Sequence, residues 1–151
     1  MIALLQRVRQ ASVEVEQKEI ARINQGLLVF IAVEQGDTPA QAVRLLSKLL
    51  AYRIFEDSNE KMNHSLQDIN GGLLLVPQFT LAANTQKGLR PSFTSAATPV
   101  LGEALFHHIC SLANQQHTIV ETGQFAADMQ VSLINDGPAT FWLQVTQENE
   151  L

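Results

Sequence analysis

Cysteine is nearly absent from this 151-residue chain: Cys110 stands alone. A lone thiol closes no internal bridge, so a buried apolar core must hold the fold, and such usage suits a reducing compartment such as the cytoplasm. Basic residues are also scarce. Ten Lys and Arg face fifteen Asp and Glu, for a net charge of −5. That balance argues against a broad grip on a nucleic-acid duplex, which needs many phosphate contacts, but leaves room for a small local site on one end of an RNA. Long apolar runs are missing. The longest, "GLLVFIAV" from Gly26 to Val33, is far too short to span a membrane. "MIALLQRVRQ" has no charged leader, and its apolar stretch stops at Gln6-Arg7, so no secretory signal is read and a soluble protein without a membrane partner is expected. There is no GxGxxG, no Walker lysine loop, no GxSxG elbow and no HExxH, which removes the usual sequence support for dinucleotide, nucleotide, serine-triad and zinc chemistry.

What is present is core. Hydrophobic residues make up 46% of the chain, enough to bury a core without staples. Without repeats, low-complexity tracts or Gly/Ser linkers, one domain over 1–151 is expected. "ASVEVEQ" alternates apolar and acidic positions, as a half-buried strand does, and "EIARI" is expected to pair with it across Gln17-Lys18. "GLLVFIAV" is apolar throughout and predicts a central strand covered on both faces. Thr38-Pro39-Ala40-Gln41 then has the form of a capping box with proline at the first helical position. Val43, Leu46, Leu50 and Ile54 follow at helical spacing and predict a helix over 39–54. "EDSNEKMNHSLQDINGG" reads as a polar loop, and "GLLLVPQFTLAA" (72–83) as a strand that Pro77 marks as an edge, a bulge or a strand end. Thr98-Pro99 opens a second predicted helix over 99–115, with Leu101, Leu105, Ile109 and Leu112 as its stripe. "HTIVETGQF", "MQVSLI" and "TFWLQVT" read as late strands. Many strands with two main helices and no regular alternation predict an α+β fold on a largely antiparallel or mixed sheet.

Few polar groups point to chemistry. Of the four histidines, the adjacent His107 and His108 project about 100° apart on a helix and cannot easily share a metal. Solvated helix-face histidines are the simpler reading. Asp57, Glu60 and Asp68 match no calcium-loop spacing and read as solvated charges. Cys110 has no electropositive neighbour in sequence and reads as a packed thiol. No metal or cofactor is called for.

Two stretches ask for more. In "VPQFTLAANTQKGLRPSF" (76–93), Gln78 and Thr80 alternate with Phe79 and Leu81, which would place both polar groups on one strand face. Lys87 and Arg90 then put two positive charges into a turn. The plain alternative is that all four face water. In "LINDGPATFWLQV" (133–145), Asn135-Asp136-Gly137 alone would make a tight hairpin, since these residues tolerate positive φ. Pro138 is the anomaly. An X-Pro bond reaches the cis form at a cost of roughly 0.5–1 kcal/mol, so a rigid turn with aligned acceptors is available there.

Pro77-Gln78-Phe79-Thr80 resembles the S-Q-x-T motif, and Asn135-Asp136-Gly137-Pro138-Ala139-Thr140 the N-x-G-P-x-T motif, of the bacterial and eukaryotic D-aminoacyl-tRNA deacylases. The similarity runs nearly end to end, through "QRV", "ASV", "YRIFED", "KMN", "QFTLAA", "KGLRPSF", "FAADMQVSL" and "NDGPATFWLQV". The resemblance implies a barrel-like form of the sheet, and a cytoplasmic homodimer that hydrolyses the ester joining a D-amino acid, or glycine on a wrong tRNA, to the terminal adenosine. It implies a cis Gly137-Pro138 that enters the partner's pocket and, with Asn135, excludes L side chains. It places Gln78, Phe79 and Thr80 in the catalytic pocket, and since ester hydrolysis needs donors for the developing oxyanion, the backbone N–H groups around Phe79 and Thr80 are the candidates. Met129 would pack near the adenine, Arg7 near the Gly-Pro tip on the RNA side of the site, and Lys87 and Arg90 against phosphate. One departure stands out: Pro77 occupies the place of the family's serine, which leaves a catalytically weakened or non-catalytic tRNA-binding homologue as the alternative.

Overall fold

The computed structural model describes residues 1–147. Its first strand, β1 (Ile2–Val15), is the axis of the sheet. One edge of β1 pairs antiparallel with β3 (Gly26–Ala32) along its first half and with β2 (Lys18–Ile23) along its second. The other edge pairs with a long last strand, β8 (Gln130–Gln144). The β1–β2 hairpin turns on Glu16 and Gln17, both at positive φ, one residue earlier than the sequence predicts. Two positive φ values in a row match the twist of the flanking strands, and this geometry prevails although neither residue is glycine or asparagine.

After β3 the chain forms α1 (Pro39–Ala51), the two-strand hairpin β4 (Phe55–Glu56) and β5 (Met62–His64), and the single turn α2 (Leu66–Ile69). It returns through β6 (Gly72–Pro77), crosses in α3 (Pro99–Gln116) and adds β7 (Val120–Thr122). Because β3, β6 and β7 are parallel while β1, β2, β3 and β8 are antiparallel, the sheet is mixed, as expected. It curls into a nearly closed barrel. β2 comes back against β6 so closely that a Cβ built on Gly72 would stand 2.8 Å from that of Ile23. Where β3 and β6 begin, a Cβ on Gly26 would lie 1.9 Å from the Gly72 carbonyl oxygen, so only glycine permits this pairing.

The continuously apolar β3 is covered on both faces. Leu27, Val29 and Ile31 pack with Leu45, Leu46 and Leu49 of α1 and Leu105 and Ile109 of α3, while Leu28 packs with Val8, Val13 and Leu74 inside the curl. β1 changes faces along its length: Ala3 and Leu5 meet the helices, Ala11 and Val13 the interior. The pleat slips where the β1–β8 register shifts, on either side of Val8.

Several expectations are corrected. α1 stops at Ala51, yet Ile54 still reaches the core from extended backbone. The "polar loop" holds the β4–β5 hairpin and α2, whose Ser65–Asp68 capping box uses one of the acids. Asp57 accepts from the backbone of Asn59 and Lys61, and these bonds hold its carboxyl below the usual range. His117 is no solvated helix-face residue: it ends α3, is buried, and its Nε2 lies 2.6 Å from the Gly71 carbonyl oxygen.

Candidate active site

The strand predicted over 72–83 ends at Pro77. Leu73 donates to Ile119 beside β7, and Gln78 donates to Ile31 of β3. By strand alternation, the nitrogen of Pro77 faces the β7 side, where Gly123 N donates to the Leu75 carbonyl oxygen at 2.8 Å and a Cβ on Gly123 would stand 3.4 Å from Pro77 Cδ. Proline at this last position of β6 has no N–H to offer Gly123, and the β6 ladder ends there. The next residues, Phe79–Ala82, form one 3-10 turn. Gln78 and Thr80 thus do not share a strand face as the sequence pattern suggested. They meet through the turn instead, where Gln78 Nε2 donates to Thr80 Oγ1. The N–H groups of Phe79 and Thr80 open this turn, and the first donors of a helical turn have no acceptor within it.

Gln78 and Phe79 lie on the rim of a cleft of roughly 540 Å³. Ile31, Val76 and Pro77 form its floor, the start of α3 with Gly102 and Phe106 forms one wall, and Phe125 to Val131 the other. Phe125 packs against Phe106 at 6.4 Å between ring centres. Met129 lines the cleft, its Sδ accepting from the Gln124 N–H at 3.4 Å. None of the four histidines lines it. A mostly apolar slot with a few polar groups at one rim suits a small, flat apolar moiety whose reacting group lies at the mouth.

Gly137 and Pro138 do not line this cleft. They sit in β8, which is one strand rather than two strands joined by a hairpin. Between the pairs Val8–Asn135 and Gln6–Thr140, the single residue Arg7 faces the four residues 136–139. Those four therefore stand out as a large bulge. The Gly137–Pro138 bond is cis, and both residues are exposed. Asn135 closes the neck: its Oδ1 accepts from Ala139 N at 2.7 Å, and its Nδ2 donates to Thr140 Oγ1 at 2.9 Å. Arg7, only 7% exposed, supports the bulge from behind, with Nε 2.9 Å from the Asp136 carbonyl oxygen and Nη1 2.8 Å from that of Ile54. Its third nitrogen, Nη2, lies 4.0 Å from Glu56 Oε1. Lys87 and Arg90 are exposed in the loop over 84–92 and do not line the cleft.

Gln78, Phe79 and Met129 thus meet in one cleft, Thr80 joins it through Gln78, and Asn135, Gly137, Pro138 and Arg7 form a second feature apart from it. Phe106 and Phe125 went unnoticed in the sequence because isolated aromatics carry no motif. Phe125 opens "FAADM", where Ala126 at φ +64 turns the wall back over the cleft.

A family model described as D-Tyr-tRNA(Tyr) deacylase matches residues 4–144. A D-aminoacyl-tRNA deacylase of Thioalkalivibrio sulfidiphilus is 61% identical over 145 residues, covering 96% of this chain and 97% of its own. One from Pseudomonas fluorescens is 60% identical over 144 residues, covering 95% and 99%. Among solved structures, a c-Myc DNA unwinding element binding protein superposes with a TM-score of 0.93 at 32% identity, covering 97% of this chain and 99% of that one. A probable eukaryotic D-amino acid tRNA deacylase shares the fold, with a TM-score of 0.81 at 20% identity over 95% of this chain and 98% of its own. With the family model matched over residues 4–144 and relatives about 60% identical over nearly the whole of both chains, this chain belongs to the D-aminoacyl-tRNA deacylases, a family of hydrolases.

Proposed function

We propose that this enzyme cleaves the ester between a D-amino acid, or glycine on a wrong tRNA, and the terminal adenosine of tRNA in the cytoplasm, working as a homodimer with a bulge from each subunit over the cleft of the other. The observation that carries this reading is the separation of two parts. Gln78 and Phe79 rim an apolar cleft, while the exposed Gly137–Pro138 bulge, braced by Arg7 and Asn135, lies outside that same cleft. A second copy brings the two together.

In this arrangement the adenine packs in the slot beside Met129, and the ester carbonyl lies at the rim. The N–H groups of Phe79 and Thr80 receive the charge that develops on its oxygen. Gln78, held by Thr80, positions the group. With no histidine in the cleft, the ribose 2′-hydroxyl of the substrate assists the attacking water in place of a protein base. The partner's Gly-Pro tip stands where an L side chain would project, so L esters are excluded by collision, a D side chain points away, and glycine has nothing to collide.

Two measurements test this. Purified enzyme is expected to hydrolyse D-Tyr-tRNA and to spare L-Tyr-tRNA; equal rates, or none with either, overturn the reading. Chains altered at Gln78 and chains altered at Gly137 are then mixed. Restored, D-selective activity in the mixture supports the shared site, and its absence assigns cleft and tip to one subunit.

A further inference from the structure

One side of the cleft mouth carries more aromatic surface than ester hydrolysis needs. Phe79 is 59% exposed, and Phe93, 39% exposed, leans against it with ring centres 5.1 Å apart and planes tilted by 57°. Burial alone does not explain such a pair, since a core seeks to hide rings of this size. Phe93 follows directly on the neck of the loop over 84–92, where Asn84 and Ser92 exchange backbone hydrogen bonds at 2.7 and 3.1 Å. That loop holds Lys87 and Arg90, both exposed, and among the described residues neither forms an ion pair. The charge pattern is local and strong. From Ile69 to Gly102 the chain has no carboxylate, and Lys87 and Arg90 are its only cations there, in a protein of net charge −5. An aromatic platform flanked by unpaired cations on an otherwise acidic molecule has the chemistry of a single-stranded nucleic-acid track.

We propose that Phe79 and Phe93 form a stacking platform for the nucleobase preceding the terminal adenosine, with Lys87 and Arg90 on the adjoining phosphates. The inference rests on the deacylase reading for the direction of the strand: the terminal nucleoside occupies the cleft, Phe79 is its rim, and the next nucleotide out must pass Phe93. Stacking tolerates any base, so the platform grips the common end of all tRNAs without reading their sequence.

Phe93 is the residue to alter, because Phe79 belongs to the catalytic rim. With D-Tyr-tRNA, Phe93→Ala is expected to raise KM about tenfold with kcat unchanged. With 3′-O-(D-tyrosyl)adenosine, which lacks the preceding nucleotide, Phe93→Ala should equal the parent enzyme, and Phe93→Trp should restore KM for the tRNA. Lys87→Ala and Arg90→Ala should each reduce the salt slope of RNA binding by about 0.7, whereas Phe93→Ala should leave it unchanged. Equal losses on both substrates, or no change on tRNA, overturn the proposal. So does a shift in oligomeric state on Phe93→Ala without an RNA effect, which makes the face a protein interface. If the parent enzyme turns over neither substrate, the deacylase reading fails, and a direct assay still judges the platform. A short single-stranded RNA with 2-aminopurine next to its terminal adenosine should change its emission on binding to the parent, as that base leaves the adenine for the platform, and should bind Phe93→Ala about tenfold more weakly; equal affinity and equal change with both overturn the platform.

Discussion

Arg7 and Asp136 are joined by a 2.9 Å hydrogen bond from Nε to the main-chain oxygen, and the same guanidinium reaches Ile54 at 2.8 Å. One buried side chain thereby ties the β8 bulge to the segment that follows α1. An ammonium group cannot serve two carbonyls set apart in this way as a planar fork does. Arg7→Lys should therefore lower stability by about 1–3 kcal/mol through the unsatisfied carbonyl, and should let the bulge wander. Urea unfolding reads the first effect and the ratio of D- to L-Tyr-tRNA hydrolysis the second. Full discrimination in the variant would show that the tip needs no support from Arg7.

Gly137 has φ +137, and a Cβ placed on it would stand 2.7 Å from Arg7 Nη2. Arg7 cannot swing aside without giving up its two carbonyl partners. Gly137→Ala should cost about 1–3 kcal/mol of stability and reshape the bulge tip. The check is a melt combined with the L-Tyr-tRNA rate, which should rise. A rate that stays at background would separate the tip from chiral selection.

Pro77 ends β6 with its ring against Gly123, whereas the N–H groups of Phe79 and Thr80 belong to the turn that follows it. Pro77→Ser should accordingly leave D-Tyr-tRNA hydrolysis within about threefold of the parent, a change of under 1 kcal/mol in the barrier. A gain far beyond that would favour the alternative, in which proline at this position has weakened the chemistry and left a tRNA-binding protein.

The α-amino group of Met1 is buried between Glu34 and Asp37, each 2.9 Å away, and also donates to the Val145 carbonyl oxygen at 2.8 Å. Asp37 further accepts from Glu34 N at 2.7 Å. Removing one partner of a buried pair costs about 3–5 kcal/mol, and Asp37→Ala should fall near the low end because Glu34 remains. Urea unfolding measures it. A loss below 1 kcal/mol would mean that water replaces the carboxylate without difficulty.

Burial pushes the Cys110 thiol up to about 12. The neutral form is favoured in the folded chain, so native enzyme at pH 8 should react with iodoacetamide far more slowly than unfolded enzyme does. The same shift makes stability decline as pH rises from about 9, where an exposed thiol ionises, toward the folded value. Rapid alkylation without loss of structure would place the thiol at the surface.

Much of the architecture is written in periodicity. The capping box of Thr38 and Gln41, the stripes of α1 and α3, and the unbroken apolar run of β3 each state locally where a face must be buried. Most of those statements survive in the tertiary structure, but Val43 of the predicted α1 stripe is exposed and the buried face runs through Ala42, Leu45, Leu46, Leu49 and Leu50 instead. The site was legible by another route. Its two motifs are ordered strings with matching context along most of the chain, and that identified the family before any geometry was known.

What the strings left open is conformation. Residues 78–81 alternate as a strand would, yet β7 ends beside them, and unpaired backbone there closes into a 3-10 turn. Asn135-Asp136-Gly137-Pro138 carries every local signal of a hairpin, but β1 is long enough to pair with the chain on both sides of it, so the ladder continues and the four residues are expelled as a bulge. Local sequence determined the residues of cleft and tip. Only the partner strands, which supply or withhold hydrogen bonds from far along the chain, decided that one became a turn at the rim and the other a bulge outside the cleft.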